Sequence, residues 1–203
     1  MSLNKKNTKF IYLISPNKIE DDEFYTNLSL VLKSGKVSYF QLRLKKETIK
    51  NKLIIGKKIR TICKKYKVKF LVNDDPMIAK KLNADGCHLG QSDMSIVKVR
   101  KLLKNKIIGV TCHNSIKLAK KGISDGADYL AFGAFYSTQT KKVEYTANLR
   151  ILKSIKKITT LPVVAIGGIK LNNYKKLLLN KANFLAISGY IWNNKKYKPL
   201  EAI

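Results

Sequence analysis

The chain has few acidic residues, few cysteines and no long apolar run, and each shortage excludes a class of protein. Its three cysteines, Cys63, Cys87 and Cys112, form no CxxC pair, so the sequence predicts reduced, mostly buried thiols instead of a disulfide framework. No apolar stretch reaches the roughly 20 residues that cross a membrane. The first nine residues are polar and lack the apolar core of a signal peptide. These absences predict a cytoplasmic protein with no membrane contact.

Basic residues greatly outnumber acidic ones. Lysine and arginine total 41 against 13 aspartate and glutamate residues, which gives a formal net charge of +28. Such a charge raises the alternative of a basic nucleic-acid-binding protein. The lysines, however, are spread in pairs over the predicted helices, as at Lys57-Lys58 and Lys120-Lys121, and no aromatic ladder is interleaved with them. We therefore expect solvated helix faces and no nucleic-acid partner, with a field that draws anionic substrates towards the protein.

Eight short apolar runs recur along the chain, separated by amphipathic stretches. Continuous apolar runs such as residues 10–14 and 162–166 are typical of parallel strands covered on both faces, and hairpin signals of the Asn-Gly type are absent. The chain of 203 residues therefore predicts the α/β class, with a single (β/α)8 TIM barrel as one domain over residues 1–203 and short N-terminal and C-terminal tails. An open doubly wound sheet is the alternative. The predicted strands are Phe10–Ser15, Tyr39–Leu44, Lys69–Asn73, Gly86–Leu89, Ile107–Cys112, Tyr129–Phe135, Pro162–Gly167 and Phe184–Ser188.

Local signals predict where helices lie and end. An apolar stripe formed by residues 54, 55, 59, 62 and 63 predicts one amphipathic helix. Gly35, Gly86 and Gly126 stand where a left-handed residue ends a helix. The residues from Asn193 to Ile203 suggest a loosely ordered tail.

Polar residues follow most of the predicted strands, and in a barrel these positions share the rim where active sites lie. Two of them, Asp74 and Asp93, are nineteen positions apart, about one strand-helix-strand unit. If the strands are neighbours, both carboxylates emerge at one rim, where Mg²⁺ could bridge them to a phosphate. A helix cap and a turn residue are the plainer alternative. Asp75, before Pro76, is the better candidate for a cap.

Three further segments carry groups that suit phosphates. In Gln41-Leu42-Arg43-Leu44-Lys45 the strand period places residues 41, 43 and 45 on one face, which would be the barrel interior. An arginine there would need an anion. Residues 137–142 offer hydroxyls and Lys141 after a strand, and Gly167-Gly168 with Ser188-Gly189 occupy the usual phosphate position of barrels. His88 and His113 lack zinc spacing and are expected to pack or join a polar network.

Five motifs in order make the chain resemble the family of thiamine-phosphate synthases and TenI-type thiazole tautomerases. They are residues 41–45, 73–75, 84–93, 138–141 and 164–169, and the resemblance covers roughly residues 10–192. It implies a Mg²⁺-dependent transferase that joins 4-amino-2-methyl-5-(diphosphomethyl)pyrimidine to a thiazole phosphate and releases pyrophosphate. The family's diphosphate leaves before the thiazole nitrogen attacks, so no protein nucleophile is needed.

The resemblance also implies roles for individual residues. Asp74 and Asp93 would hold Mg²⁺, and Arg43, Lys45 and Lys141 would stabilise the leaving diphosphate. The implied substrate-binding residues are Gln41, Arg43, Lys45, Asn73, Thr111, Thr138, Gln139, Thr140, Lys141, Gly167, Gly168, Ile187 and Ser188. Thr111 stands where the family usually has serine.

Two enzymatic alternatives stay open within the same family. One is a thiazole tautomerase, and the other is an inactive synthase-like paralogue. The tautomerases carry a histidine at the position of Ala134, so this alanine favours the synthase. A homo-oligomer is compatible with the sequence, which does not fix the oligomeric state.

Overall fold

The computed structural model describes residues 9–138 and 145–203, and these form a closed barrel of eight parallel strands. Each strand pairs with the next along the chain, and the last pairs with the first. The prediction of a (β/α)8 barrel is confirmed, and the open-sheet alternative is wrong. The strands are β1 (Ile11–Ile14), β2 (Val37–Leu42), β3 (Lys69–Asn73), β4 (Gly86–Leu89), β5 (Ile107–His113), β6 (Tyr129–Gly133), β7 (Val163–Ile166) and β8 (Phe184–Ile187).

Helices follow the strands and form the outer ring. They are α1 (Asp22–Lys33), α2 (Ile49–Lys65), α3 (Pro76–Lys81), α4 (Ile96–Leu103), α5 (Ile116–Ser124), α6 (Arg150–Lys156), α7 (Tyr174–Leu179), α8 (Gly189–Trp192) and α9 (Pro199–Ala202). Polar side chains begin several of them by accepting a free backbone N–H, as Asp21 does from Phe24 and Thr48 does from Asn51. No helix in the described ranges is long and apolar enough to cross a membrane.

Apolar side chains fill two separate layers. The larger layer lies between the sheet and the helices and includes Leu13, Phe40 and Phe70. The smaller one lies inside the barrel, where Tyr12 and Tyr129 pack with shorter apolar residues. Because both faces of every strand are covered, the strands carry apolar residues almost continuously.

The same pair of hydrogen bonds joins neighbouring strands at three places at the base of the barrel. Asp85, Asp128 and Asn183 each directly precede a strand, and each side chain accepts the backbone N–H near the start of the preceding strand, at 2.7–2.9 Å. The backbone N–H groups of the same three residues donate back at 2.7–2.8 Å. These paired bonds fix the register of β3 with β4, β5 with β6 and β7 with β8.

Three local predictions are wrong. Gly86 lies within β4, where a Cβ atom would come 2.0 Å from the carbonyl oxygen of Ile107, so it serves close strand packing and not a helix end. Ile54 of the predicted apolar stripe is 51% exposed, whereas Ile59 and Cys63 are buried. The tail predicted to be loosely ordered contains α9, which begins where the backbone N–H of Lys198 donates to the carboxylate of Glu201.

Candidate functional site

Strand β2 is shorter at its end than its alternating pattern predicts. It stops at Leu42, because the backbone N–H of Arg43 donates to the Ser15 hydroxyl at 2.9 Å and no longer to a strand. Gln41 is buried inside the barrel, whereas Arg43 and Lys45 lie beyond the end of β2. Leu42 and Leu44 both pack in the layer between the sheet and the helices, which agrees with the prediction that residues 41, 43 and 45 share the opposite face. Arg43 is half-buried at the rim, and Lys45 is exposed there.

Arg43 is held in place from two sides of the rim. Its guanidinium donates to the side-chain oxygen of Asn17 at 3.1 Å, while Ser15 holds its backbone. Burial lowers the pKa of this guanidinium, and the charge of nearby Asp74 opposes that shift. The arginine stays charged in water at neutral pH, so a partly buried cation faces the rim. Sequence reasoning missed Ser15 and Asn17, whose role appears only once β1 and β2 are paired.

Asp74 lies immediately after β3 and turns its carboxylate to Lys45. The ammonium of Lys45 is 2.9 Å from a carboxylate oxygen of Asp74. Asp74 adopts a left-handed backbone with φ of +63°, which aspartate tolerates better than most residues, and its N–H donates to the carbonyl oxygen of His88 at 2.8 Å. Burial disfavours the ionised carboxyl, but hydrogen bonds from Lys45 and Asp93 and the charge of Lys45 lower its pKa.

Asp93 follows β4 and reaches the same place from the other side. Its carboxylate accepts the backbone N–H of Gly90 at 2.6 Å. Burial raises the pKa of Asp93; the Gly90 hydrogen bond opposes this shift, and the hydrogen bond and negative charge of Asp74 add to it. The two carboxyl groups therefore interact directly, as the prediction that both emerge at one rim requires. A proton added to the pair goes to Asp93 first.

Asp75 is separate from this pair. Its side chain accepts the backbone N–H of Ile78 at 2.9 Å, and Pro76 is the first residue of α3. The prediction that Asp75 caps a helix is confirmed, and the structure divides the two adjacent aspartates between two tasks.

The carboxylate pair suits a hard divalent cation. Mg²⁺ keeps several waters and is usually bound through one or two carboxylates together with substrate phosphates. Asp74 and Asp93 provide two such groups, and the described residues contain no group of three or more histidine, cysteine or acidic side chains that could hold a metal alone. The site therefore fits a metal that is completed by a phosphorylated substrate.

A cavity of about 480 Å³ opens beside the pair. Its lining includes Lys45, Asn73, Asp74 and Asp93, and Lys52 of α2 adds a second ammonium group. Cationic and anionic groups thus face the same space, which suits a ligand made of a metal ion and a phosphate chain.

Two predicted substrate-binding residues, Gln41 and Thr111, are connected through the barrel interior. The Gln41 amide donates to the Tyr12 hydroxyl at 3.0 Å, and the Tyr12 and Tyr129 hydroxyls are 2.8 Å apart. His88 Nδ1 is 2.8 Å from the Tyr129 hydroxyl, and its Nε2 is 2.8 Å from the Thr111 hydroxyl. His88 therefore lies in a polar network. The tyrosines were missed because they look like ordinary members of apolar strands.

The glycine pair after β7 packs against the segment that follows β6. Gly167 and Gly168 have φ of +105° and +60°, and a Cβ atom on Gly168 would lie 2.2 Å from the carbonyl oxygen of Ser137. The carbonyl oxygen of Gly167 accepts the N–H of Tyr136 at 3.1 Å. Glycine is therefore required at these positions for close packing of the two segments. The same lack of side chains would let a phosphate approach the backbone.

The remaining rim residues come from β6 and β8. Ser188 begins α8 and donates its hydroxyl to the carbonyl oxygen of Ser15 at 3.0 Å, next to Ile187 at the end of β8. Thr138 is half-buried beyond β6. Gln139, Thr140 and Lys141 lie outside the described residues. His113, at the end of β5, packs against Tyr145 with ring centroids 4.2 Å apart and planes tilted by 36°.

Known proteins of similar sequence and structure match nearly the whole chain. The sequence profile of the family described as thiamine monophosphate synthase matches residues 11–191. A thiamine-phosphate synthase of Pelagibacter ubique (strain HTCC1062) is 78% identical over 203 residues, which covers 100% of this chain and 98% of the relative. A thiamine-phosphate synthase of Nitrosomonas eutropha is 36% identical over 90% of this chain and 86% of its own. The solved structure of a thiamine phosphate pyrophosphorylase from Pyrococcus furiosus superposes with a TM-score of 0.84 at 27% identity, covering 97% of this chain and 92% of that one.

Proposed function

Because the chain belongs to the thiamine monophosphate synthase family, we propose that its rim joins an aminopyrimidine diphosphate to a thiazole phosphate. The chain is a transferase of thiamine biosynthesis. The reaction breaks the bond between the pyrimidine methylene carbon and the diphosphate oxygen, and the bonding electrons leave with the pyrophosphate. The thiazole nitrogen then donates its lone pair to that carbon, which forms thiamine phosphate.

One observation carries this proposal: Lys45, Asp74 and Asp93 meet beside an open cavity of about 480 Å³. A single carboxylate would repel a diphosphate, whereas two carboxylates that share a metal ion, flanked by ammonium and guanidinium groups, attract one. We infer that Arg43 and Lys45 neutralise the charge that develops on the leaving group, together with Lys141.

We infer that Asp74 and Asp93 hold Mg²⁺. When bound there, the ion lowers the free energy of the departing pyrophosphate by neutralising part of its charge. Before it binds, the ammonium of Lys45 already lies 2.9 Å from Asp74, so the anionic site is kept paired.

The organic halves of the two substrates are assigned to the remaining rim residues. We propose Gln41, Asn73 and Thr111 for the pyrimidine. For the thiazole phosphate we propose Thr138, Gln139, Thr140, Gly167, Gly168, Ile187 and Ser188. No protein nucleophile is required, because the aminopyrimidine stabilises a benzylic-type cation after the diphosphate leaves. Correct positioning of the thiazole nitrogen then supplies most of the remaining acceleration.

The expected setting is the cytoplasm, and the expected partners are small phosphorylated molecules. The three cysteines are free and buried, which agrees with a reducing compartment. The rim is shaped for phosphates by its cations, and it needs neither a nucleic acid nor a membrane to complete it.

The direct test supplies both substrates with Mg²⁺ and measures thiamine phosphate and pyrophosphate. We expect product only when the divalent ion is present. Arg43→Ala and Asp93→Ala should each lower kcat/KM by roughly two to three orders of magnitude, since each removes a charge that acts on the leaving group.

Asp75→Asn is the matched control, because Asp75 is adjacent to Asp74 in sequence but caps α3. It should keep its activity and lose at most about 1 kcal/mol of stability. A folded chain that forms no thiamine phosphate from the two substrates and Mg²⁺ would contradict the proposal of a synthase. Isomerisation of the thiazole without pyrophosphate release would identify the tautomerase instead.

A further inference from the structure

Five polar side chains form an unbranched chain of hydrogen bonds across the barrel interior, and three of them have no role in the reaction described above. The order is Gln41, Tyr12, Tyr129, His88 and Thr111, and the successive distances are 3.0, 2.8, 2.8 and 2.8 Å. Tyr12, Tyr129 and His88 are buried. The two ends of the chain are the residues proposed to contact the pyrimidine.

The barrel makes room for this chain at one position. A Cβ atom on Gly109 would lie 1.8 Å from the Tyr129 ring, so only glycine at this point of β5 admits the tyrosine. The rings of His88 and Tyr129 then stack with centroids 5.6 Å apart and planes 15° apart. This packing restricts rotation of the two rings, so their polar atoms keep the same hydrogen-bond partners.

The His88 side chain is buried, and each of its ring nitrogens lies 2.8 Å from one hydroxyl group. The Tyr129 hydroxyl can donate to Nδ1 only when that nitrogen carries no proton, which requires the neutral imidazole. A neutral imidazole carries one proton, so one ring nitrogen donates and the other accepts. The identity of the protonated nitrogen is therefore set by the neighbouring hydroxyl groups.

The donors can be followed from one end to the other. The Gln41 amide nitrogen can only donate, so the Tyr12 oxygen accepts from it. Tyr12 then has one proton, which it gives to Tyr129. Tyr129 in turn gives its proton to His88 Nδ1.

The rest of the chain follows from the histidine. His88 must carry its proton on Nε2 and donate it to the Thr111 oxygen. The hydroxyl proton of Thr111 is not used within the chain of hydrogen bonds. Because Thr111 is only half-buried, it can donate this proton to a ligand.

One alternative direction is less favourable, and the other is excluded only by the orientation of the Gln41 amide. If Tyr129 gave its proton to Tyr12, the Tyr12 proton would be sealed in the barrel without an acceptor, which costs free energy. If the Gln41 amide were turned round, every bond would reverse and His88 would carry its proton on Nδ1.

When the Gln41 amide nitrogen donates to Tyr12, the amide oxygen of Gln41 is left to accept a hydrogen bond from a ligand. This amide oxygen makes no hydrogen bond within the part of the chain that the structure describes, and no described side-chain atom is both sealed and unpaired. Although Gln41 is buried, with 2% of its surface exposed, this oxygen is therefore not fully sealed. One end of the chain offers an acceptor and the other end offers a donor.

We propose that Tyr12, Tyr129 and His88 are positioning residues that fix an acceptor at Gln41 and a donor at Thr111 for the edge of the aminopyrimidine. An exocyclic amino group donates and a ring nitrogen accepts, which matches these two ends. A 4-oxo pyrimidine presents the reverse pattern and is rejected. The inference rests on the proposed function for its ligand, but its hydrogen-bond direction is a property of the protein alone.

The protonated nitrogen of His88 can be measured without substrate. The chain has two histidines, so long-range proton–nitrogen NMR spectra of ¹⁵N-histidine-labelled protein contain two ring systems, and His113→Gln assigns them. We expect His88 to be protonated on Nε2 and free on Nδ1 at neutral pH. Tyr129→Phe should shift the Nδ1 signal, because that nitrogen loses its donor. A proton on Nδ1 in the unaltered protein, or an unchanged Nδ1 signal in Tyr129→Phe, overturns the inference.

Kinetics provide the second readout. Tyr129→Phe and Tyr12→Phe should each raise KM for the pyrimidine diphosphate about tenfold, the usual effect of one misdirected hydrogen bond, and change KM for the thiazole phosphate less than about twofold. Tyr39→Phe is the matched control. Tyr39 stacks on Tyr12 with centroids 5.5 Å apart, but its hydroxyl is not part of the chain. An equal rise for both substrates, or the same rise in Tyr39→Phe, would mean a merely structural role.

The two proposals fail in different ways. An unaltered protein that makes no thiamine phosphate overturns the proposed function and the ligand assignment, whereas the NMR result still decides the direction of the chain. An active enzyme with His88 protonated on Nδ1 overturns the inference alone.

Discussion

Asp74 and Asp93 show how the fold gives two identical carboxyl groups different properties. Lys45 lies 2.9 Å from Asp74, while Asp93 is stabilised by the N–H of Gly90 and repelled by Asp74. The pKa of Asp74 is lowered as a result, and that of Asp93 is raised. The pair keeps at least one negative charge over a wide pH range, which keeps the site ready for a cation.

This asymmetry predicts a pH dependence of Mg²⁺ affinity. As pH falls through the raised pKa of Asp93, that carboxyl takes a proton that competes with the metal, so affinity falls by up to about tenfold per pH unit. Asp74 stays ionised in this range because its pKa is lowered. Calorimetric titration with Mg²⁺ at a series of pH values measures the effect.

Asp93→Asn should bind Mg²⁺ more weakly and lose this dependence, while Asp75→Asn should behave like the unaltered chain. An affinity that stays constant from about pH 4 to neutrality, in protein shown by circular dichroism to be folded, would contradict the asymmetry.

Two helices end in a capping motif in which lysine occupies a position that favours glycine. At the end of α2 the N–H of Val68 donates to the carbonyl oxygen of Cys63, and that of Lys67 donates to Lys64, which is the Schellman arrangement. The left-handed residue there is Lys67, with φ of +56°, and at the end of α7 it is Lys181, with φ of +76°. Gly126 fills the same position after α5, as the sequence predicts.

Lys67→Gly should therefore stabilise the chain. A left-handed backbone costs a residue with a side chain about 1–2 kcal/mol, part of which is offset by the greater freedom of glycine in the unfolded chain. We expect a gain of about 0.5–1 kcal/mol in the free energy of unfolding, measured by urea denaturation. Lys65→Gly, inside the last turn of α2, is the control and should lower the free energy of unfolding by about 0.5–1 kcal/mol. A loss of stability in Lys67→Gly would refute the argument.

Over the whole molecule, excess positive charge is the dominant electrostatic feature. The net charge is +28, the lysine pairs predicted on helices are exposed, and the six ion pairs seen in the described residues are mostly at the surface. Like charges on one compact body repel each other, and this repulsion is relieved when the chain unfolds.

Salt should therefore stabilise the protein. Raising NaCl from about 0.01 M to about 0.15 M shortens the screening length from about 30 Å to about 8 Å. We expect Tm to rise by about 2–4 °C, which corresponds to roughly 1 kcal/mol for a chain of this size. Scanning calorimetry in NaCl and KCl measures it, and equal effects of the two salts show that screening is the cause. A Tm that falls with salt would mean that the ion pairs outweigh the repulsion.

The sequence by itself determined the barrel and the order of groups around its rim. Eight apolar runs separated by amphipathic stretches leave few alternatives, and the carboxyl ends of parallel strands must meet at one edge, so Asp74 and Asp93 could be paired in advance. Asp75 could likewise be assigned as a cap from the proline that follows it. These conclusions depend on residues close together in sequence or on a general rule of parallel sheets.

Only the tertiary structure decided which way side chains point within strands that are covered on both faces. Tyr12 and Tyr129 are 117 positions apart, and nothing in their apolar neighbourhoods marks them as partners. The end of β2 depends on the Ser15 hydroxyl, and the place of Tyr129 depends on the missing side chain of Gly109. A period of two separates the faces of a strand but does not say which face is inside, because inside and outside are both apolar.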